Sequence, residues 1–228
     1  MKTFLSVLGV STLIGLFVGC DLSGSDSLSP TGPSGNQSSS FGFSWEYNGQ
    51  TWKASGIPPP CPNPLTFKTP VNLSRVTSIL YPGQTRGSAY KPHGGFRFDA
   101  AGETGDITVV APMVSTVYRA SRDLDNGEIQ YMFNFINACG ILHRLGHLRD
   151  LSPRFQQIAA SLPPAVEGDS RTSPVAAGQN VAVGETIATT VGYRSENFSL
   201  DLGVYDLRAR NEASADPGWL AQHPGEQA

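Results

Sequence analysis

No run of lysines and arginines occurs anywhere in this chain, and only 15% of its residues are charged. Gripping nucleic acid takes a basic patch that neutralises phosphates, so nucleic acid is not an expected partner. No C-x-x-C pair occurs among the three cysteines, which argues against a structural zinc knuckle. His143 and His147 are four apart, but no Glu follows His143 and Gly146 interrupts the stretch, so the helical zinc-protease motif is missing too. His143 is expected to be structural. Glycine and proline, by contrast, are plentiful, at 25 and 17 residues. That usage favours many turns and short strands. The 228 residues suit one domain, or one domain plus appendages, and a hydrophobic fraction of 39% supplies a core. The formal net charge is −3.

The N-terminus, MKTFLSVLGVSTLIGLFVGC, places Lys2 before an apolar run from Phe4 to Val18 and ends in Gly19-Cys20. The run is short for a membrane-spanning helix and reads as the core of a signal peptide, residues 1–19. A small residue directly before a cysteine resembles a bacterial lipobox, which would make Cys20 the lipidated first residue. Phe17 stands where Leu is usual. The alternative is ordinary cleavage near Gly19, with Cys20 a plain thiol. Residues 21–40 hold eight serines and no aromatic residue. Such a segment cannot bury a core and reads, with Cys20, as a tether over 20–40, spanning roughly 25 Å root-mean-square. The expected location is therefore the cell envelope, with the domain outside the cytoplasm and held to a membrane by its lipid.

An exported chain permits disulfides. With Cys20 acylated, Cys61 and Cys139 remain as a possible pair, the rival readings being two buried thiols or metal ligation. The folded domain is expected over 41–210, followed by a polar, loosely ordered tail over 211–228. Asn48-Gly49 and Asp125-Asn126-Gly127 are hairpin turns between alternating strands. The segment SPRFQQIAASLP reads as one inserted helix. Ser152 is at the N-cap, Pro153 at the first helical position, and Phe155, Ile158, Ala159 and Leu162 lie on one face. The class is mainly β, antiparallel and sandwich-like, with one short helix. Tyr118, Tyr131 and Phe133 are expected to pack rather than to stack on sugars.

Period-two alternation sorts the candidate residues. In HGGFRFDA, residues Phe96, Phe98 and Ala100 point to the core, and His93, Gly95, Arg97 and Asp99 point away. In FSLDLGVYD, residues Phe198, Leu200, Leu202 and Val204 form the apolar set, and Ser199, Asp201, Gly203 and Tyr205 face away. Two polar rows side by side would line a groove.

The order of His93-x-Gly95, ITVVAPMVSTVY, Gly146-His147-Leu148, VAVGETIATTVG and a late GVYD resembles the lysostaphin-type (LytM-like) zinc peptidases, over about residues 88–208. The resemblance implies a groove-bearing antiparallel β domain that holds peptidoglycan peptides. Position by position, it makes His93 a zinc ligand and His147 the histidine that assists the attacking water. It places Arg97 where the family has its ligand aspartate, and Ser199 and Asp201 where it has His-x-His. Arginine cannot ligate a metal, so no cofactor is expected. The implied binding groove is His93, Arg97, His147, Ser199 and Asp201, with Arg97 and Asp201 salt-bridged where zinc would sit. The implied function is a non-catalytic envelope lipoprotein that binds peptidoglycan or regulates a cell-wall hydrolase. The alternative is an active zinc metallopeptidase using His93, Asp99 and Asp201 as ligands and His147 in catalysis. A weaker third reading is a carbohydrate-binding module.

The anchor is tested by Cys20→Ser, which should move the protein from the membrane to the soluble fraction. Continued membrane fractionation, or an intact mass showing an unmodified Cys20, would contradict it.

Overall fold

The computed structural model describes residues 44–48, 51–86, 89–209 and 216–222. The expected signal peptide, Cys20 and the serine-rich tether lie outside the described residues. The described residues begin with a hairpin, β1 (Trp45–Tyr47) and β2 (Trp52–Ala54), paired antiparallel. The Asn48 side chain accepts from the Thr51 amide at 2.8 Å and ties the turn. A single 3-10 turn over Leu73–Arg75 leads into β3 (Ser78–Leu80). A second small hairpin, β4 (Gln84–Arg86) and β5 (Ala89–Lys91), precedes β6 (Gly94–Arg97) and the short β7 (Val109–Val110).

Two long strands follow, β8 (Ser115–Asp125) and β9 (Glu128–Ile136). Their turn has Asn126 at φ 51° and Gly127 at φ 77°, the pair of left-handed residues that a type I′ hairpin requires. Then come β10 (Ile141–Leu148), α1 (Pro153–Ala159), β11 (Ser173–Pro174), β12 (Asn180–Val181), β13 (Thr186–Ala188) and β14 (Ser199–Asp206). A six-residue helix, α2 (Pro217–Gln222), lies in the tail expected to be loosely ordered, with Trp219 edge-on to Tyr90 at 5.8 Å.

The main sheet runs β11-β8-β9-β10-β14-β6-β3, with β12 also paired to β8, and its pairings are antiparallel. The fold is thus mainly β with one short inserted helix. One face of the sheet is the core. Phe133, Phe135, Leu145 and Leu200 are fully buried there, and Phe155 of α1 meets Phe133 edge-on at 5.2 Å. All four residues of the helix stripe, Phe155, Ile158, Ala159 and Leu162, are buried. Ser152 stands at the N-cap and Pro153 begins the helix, although the serine side chain makes no capping bond. Instead the Ser152 amide donates to Ile187 O at 2.8 Å and anchors the helix start to the core.

His143 belongs to this core. It is fully buried and stacks on Phe135 at 4.7 Å, and burial pushes its pKa down to about 3. Phe133 is likewise buried, Tyr131 packs against the core, and Tyr118 meets Trp52 at 5.3 Å. Two members of the expected apolar rows are corrected. Ala100 is exposed beyond the end of β6, and Val204 is 47% exposed because it lies past the Ser199–Leu202 stretch that β6 covers.

Cys61 and Cys139 are joined by a disulfide across 78 positions of sequence. Cys139 lies among Met113 and Ile141, with Cys61, Leu65 and Phe67 packed over them. The bridge therefore ties the proline-rich segment to the β9–β10 connection. Loop-closure entropy for a ring of this length is about 4–5 kcal/mol. The Cys61→Ser/Cys139→Ser chain should lose about that much unfolding free energy in urea titration. An unchanged midpoint would show that the bridge constrains nothing.

Candidate functional site

The site is built on three neighbouring strands, β6, β14 and β10, on the sheet face opposite the core. Asp201 of β14 is opposite Gly95 of β6 on one side and Gly146 of β10 on the other. Glycine is demanded at Gly95, where a Cβ would lie 2.3 Å from Leu200 O. Both neighbours of the carboxylate are thus free of side chains, and more distant groups reach it.

His93, immediately before β6, is 7% exposed and places Nε2 2.7 Å from Asp201 Oδ2. Its other nitrogen, Nδ1, accepts from Nη2 of Arg144 on β10. His147 Nε2 approaches the same Asp201 oxygen at 3.5 Å, an electrostatic contact rather than a good hydrogen bond. His147 Nδ1 donates to Gln130 Oε1 at 2.6 Å. Gln130, on β9, is 1% exposed.

A bulge brings His147 here. Plain alternation would send it into the core with Leu145. The register shifts between Leu145 and Leu148, and His147 adopts φ 58°. Both leucines are therefore buried while the histidine joins the polar face, as bulges commonly redirect a side chain.

Burial by itself would raise the Asp201 carboxyl. The His93 hydrogen bond and the nearby His147, His93 and Arg144 outweigh it and hold the pKa at about 2. Further along the face, Asp123 of β8 is opposite Gln130. Burial raises the Asp123 carboxyl and His147 opposes the rise. Tyr193 lies 6.3 Å from the His147 ring and donates to Asp125 Oδ2 at 2.6 Å. Burial first, then Asp125, pushes that phenol up to about 12.

Of the five expected groove residues, His93, His147 and Asp201 come together and two do not. Arg97 is opposite Ser199, not Asp201, and its guanidinium turns to Asp99, with Nε to Oδ2 at 2.7 Å and Nη2 to Oδ1 at 3.0 Å. The expected Arg97–Asp201 salt bridge is therefore not formed. The reason is desolvation: the Asp99 pair keeps both groups about 40% exposed (36% and 44%), whereas Asp201 is recessed and already bonded by His93. Ser199 is 4% exposed and does not line the groove. The ligand set His93, Asp99 and Asp201 is also not assembled, because Asp99 is held by Arg97. Arg144, Gln130, Asp123 and Tyr193 join the site without having been expected.

Among the described residues, no group of three or more His, Cys, Asp or Glu side chains is arranged to hold a metal ion. The residues do not fit a catalytic zinc, which takes three protein ligands. Both His93 nitrogens are engaged, and Arg97, which cannot ligate, points to Asp99. Comparison with protein-family models, curated proteins and solved structures finds no match.

The depressed Asp201 pKa makes a stability prediction. Its folded value, about 2, lies below the usual 3.8, so the unfolded chain takes up the proton more readily. The contribution, about 2 kcal/mol, is present above roughly pH 4 and lost as pH falls towards 2. Urea unfolding of wild type and Asp201→Asn should differ by about that amount at pH 7 and converge near pH 2. A gap that stays constant across this range would contradict it.

Proposed function

We propose that this chain is an exported, lipid-anchored envelope protein whose LytM-like β domain binds peptidoglycan peptides and does not cut them. One observation carries the reading. The groups that correspond to the zinc ligands of the resembled family are spent on each other: His93 Nε2 bonds Asp201 Oδ2, and Arg144 occupies His93 Nδ1. Three further features support it. The polar residues face away from the packed side of the sheet. His147 and Asp201 retain 27% and 18% side-chain exposure, so a ligand can reach them. A peptide rich in amides and carboxylates meets donors and an acceptor there. The disulfide suits an oxidising compartment, where glutathione does not keep thiols reduced.

Co-sedimentation of the full chain with purified wall sacculi tests the proposal. The wild-type chain should pellet with sacculi and release no soluble wall fragments, with or without added zinc. His147→Ala should weaken binding roughly tenfold, the scale of one lost hydrogen bond to a charged or polarised group. Failure to pellet, or chelator-sensitive release of fragments, would contradict the reading, and the second result would favour an active zinc peptidase.

A further inference from the structure

We infer that Arg144 is the resident cation of this site: it fixes the His93 proton on Nε2 and thereby closes the His93–Asp201 pair to zinc. A guanidinium only donates, so the nitrogen facing Arg144 must present a lone pair. That nitrogen is Nδ1 of His93. A neutral imidazole with a bare Nδ1 carries its hydrogen on Nε2, and Nε2 lies 2.7 Å from Asp201 Oδ2, where it donates. A metal-binding nitrogen must offer a lone pair. Nε2 has none to offer, and the lone pair of Nδ1 faces a permanent positive charge.

The backbone register makes the contact available. Arg144 is opposite Gly203 on β14. His93 stands one residue before Gly94, whose partner is Leu202, so His93 lies level with the other side of Gly203. Gly203 has no side chain of its own, the Tyr205 ring lies over it, and the guanidinium reaches the imidazole across β14. Asn134 flanks Arg144 on the opposite side, and Arg144 Nε is buried without a hydrogen-bond partner. An arginine that merely sought partners would not leave that nitrogen bare. Its orientation is set by the contact with His93. Arg144 is thus a positioning residue that acts through His93, whose own bond is the main compensation of Asp201. The inference rests on the proposed reading only in taking zinc as the excluded metal.

Long-range proton–nitrogen NMR on the full chain, labelled at the histidine nitrogens, reads the tautomer. At about pH 8, where an ordinary imidazole is neutral, wild-type His93 should show a protonated Nε2 and a bare Nδ1. Equimolar zinc should leave both shifts in place. In a folded Arg144→Leu chain, zinc affinity should rise roughly ten- to a hundred-fold, the scale of neighbours that act through a ligand, and the His93 nitrogens should shift as zinc is added. A proton on wild-type Nδ1 overturns the inference. So does a wild-type chain that takes zinc at His93 as tightly as Arg144→Leu, or a folded variant with no gain. The wild-type tautomer decides the matter if the variant fails to fold. Wall binding is not read in either arm, so a failure of sacculus binding is distinguished from a failure here.

Discussion

A carboxylate largely withdrawn from water has to be compensated, and the polar side of this sheet is organised around that requirement at Asp201. The two strands beside β14 present glycines to it, Gly95 and Gly146. Compensation therefore comes from side chains rooted further off: His93 ahead of β6, His147 out of a bulge in β10, and Arg144 from across Gly203. Each depends on a backbone feature that would otherwise look incidental. The bulge costs a regular ladder but lets Leu145 and Leu148 both stay in the core while His147 turns outward. Gly95 cannot carry a side chain because a neighbouring carbonyl is too close.

The same requirement explains why Arg97 stays outside. An arginine two residues along β6 has two carboxylates within reach of its stem. Pairing with Asp99 keeps the guanidinium hydrated, whereas pairing with Asp201 would draw a second cation into a recess already served by His93 and Arg144. The cation that reaches the His93–Asp201 pair is Arg144, through His93 Nδ1, and not Arg97. The acidic rim of Asp123 and Asp125, with Tyr193, continues the polar face beyond His147.

Much of the fold was legible because its signals are local. Asn126-Gly127 dictates its own turn, the Phe155, Ile158, Ala159, Leu162 stripe needs only helical spacing, and alternation placed Asp201 and His93 on one side of the sheet. Less of the site was legible, because it depends on register and on one bulge. Alternation alone sends His147 inward, and only a left-handed residue at that position reverses it. Arg144 carried a usable signal: with His143 buried, its neighbour had to lie on the polar side of the sheet. Gln130 carried none, since nothing in the sequence of β9 marks it as the partner of a histidine 17 residues later. The choice of Asp99 over Asp201 by Arg97 turns on solvent exposure, which spacing does not report.

Diffraction at the zinc absorption edge, from crystals of this chain soaked in zinc, tests the central claim most directly. If the recessed carboxylate is satisfied from within, no anomalous peak will lie between His93 and Asp201, and the two side chains will remain within hydrogen-bonding distance with Arg144 on the far nitrogen. An anomalous peak bonded to His93 and Asp201, with Arg144 displaced, would contradict it.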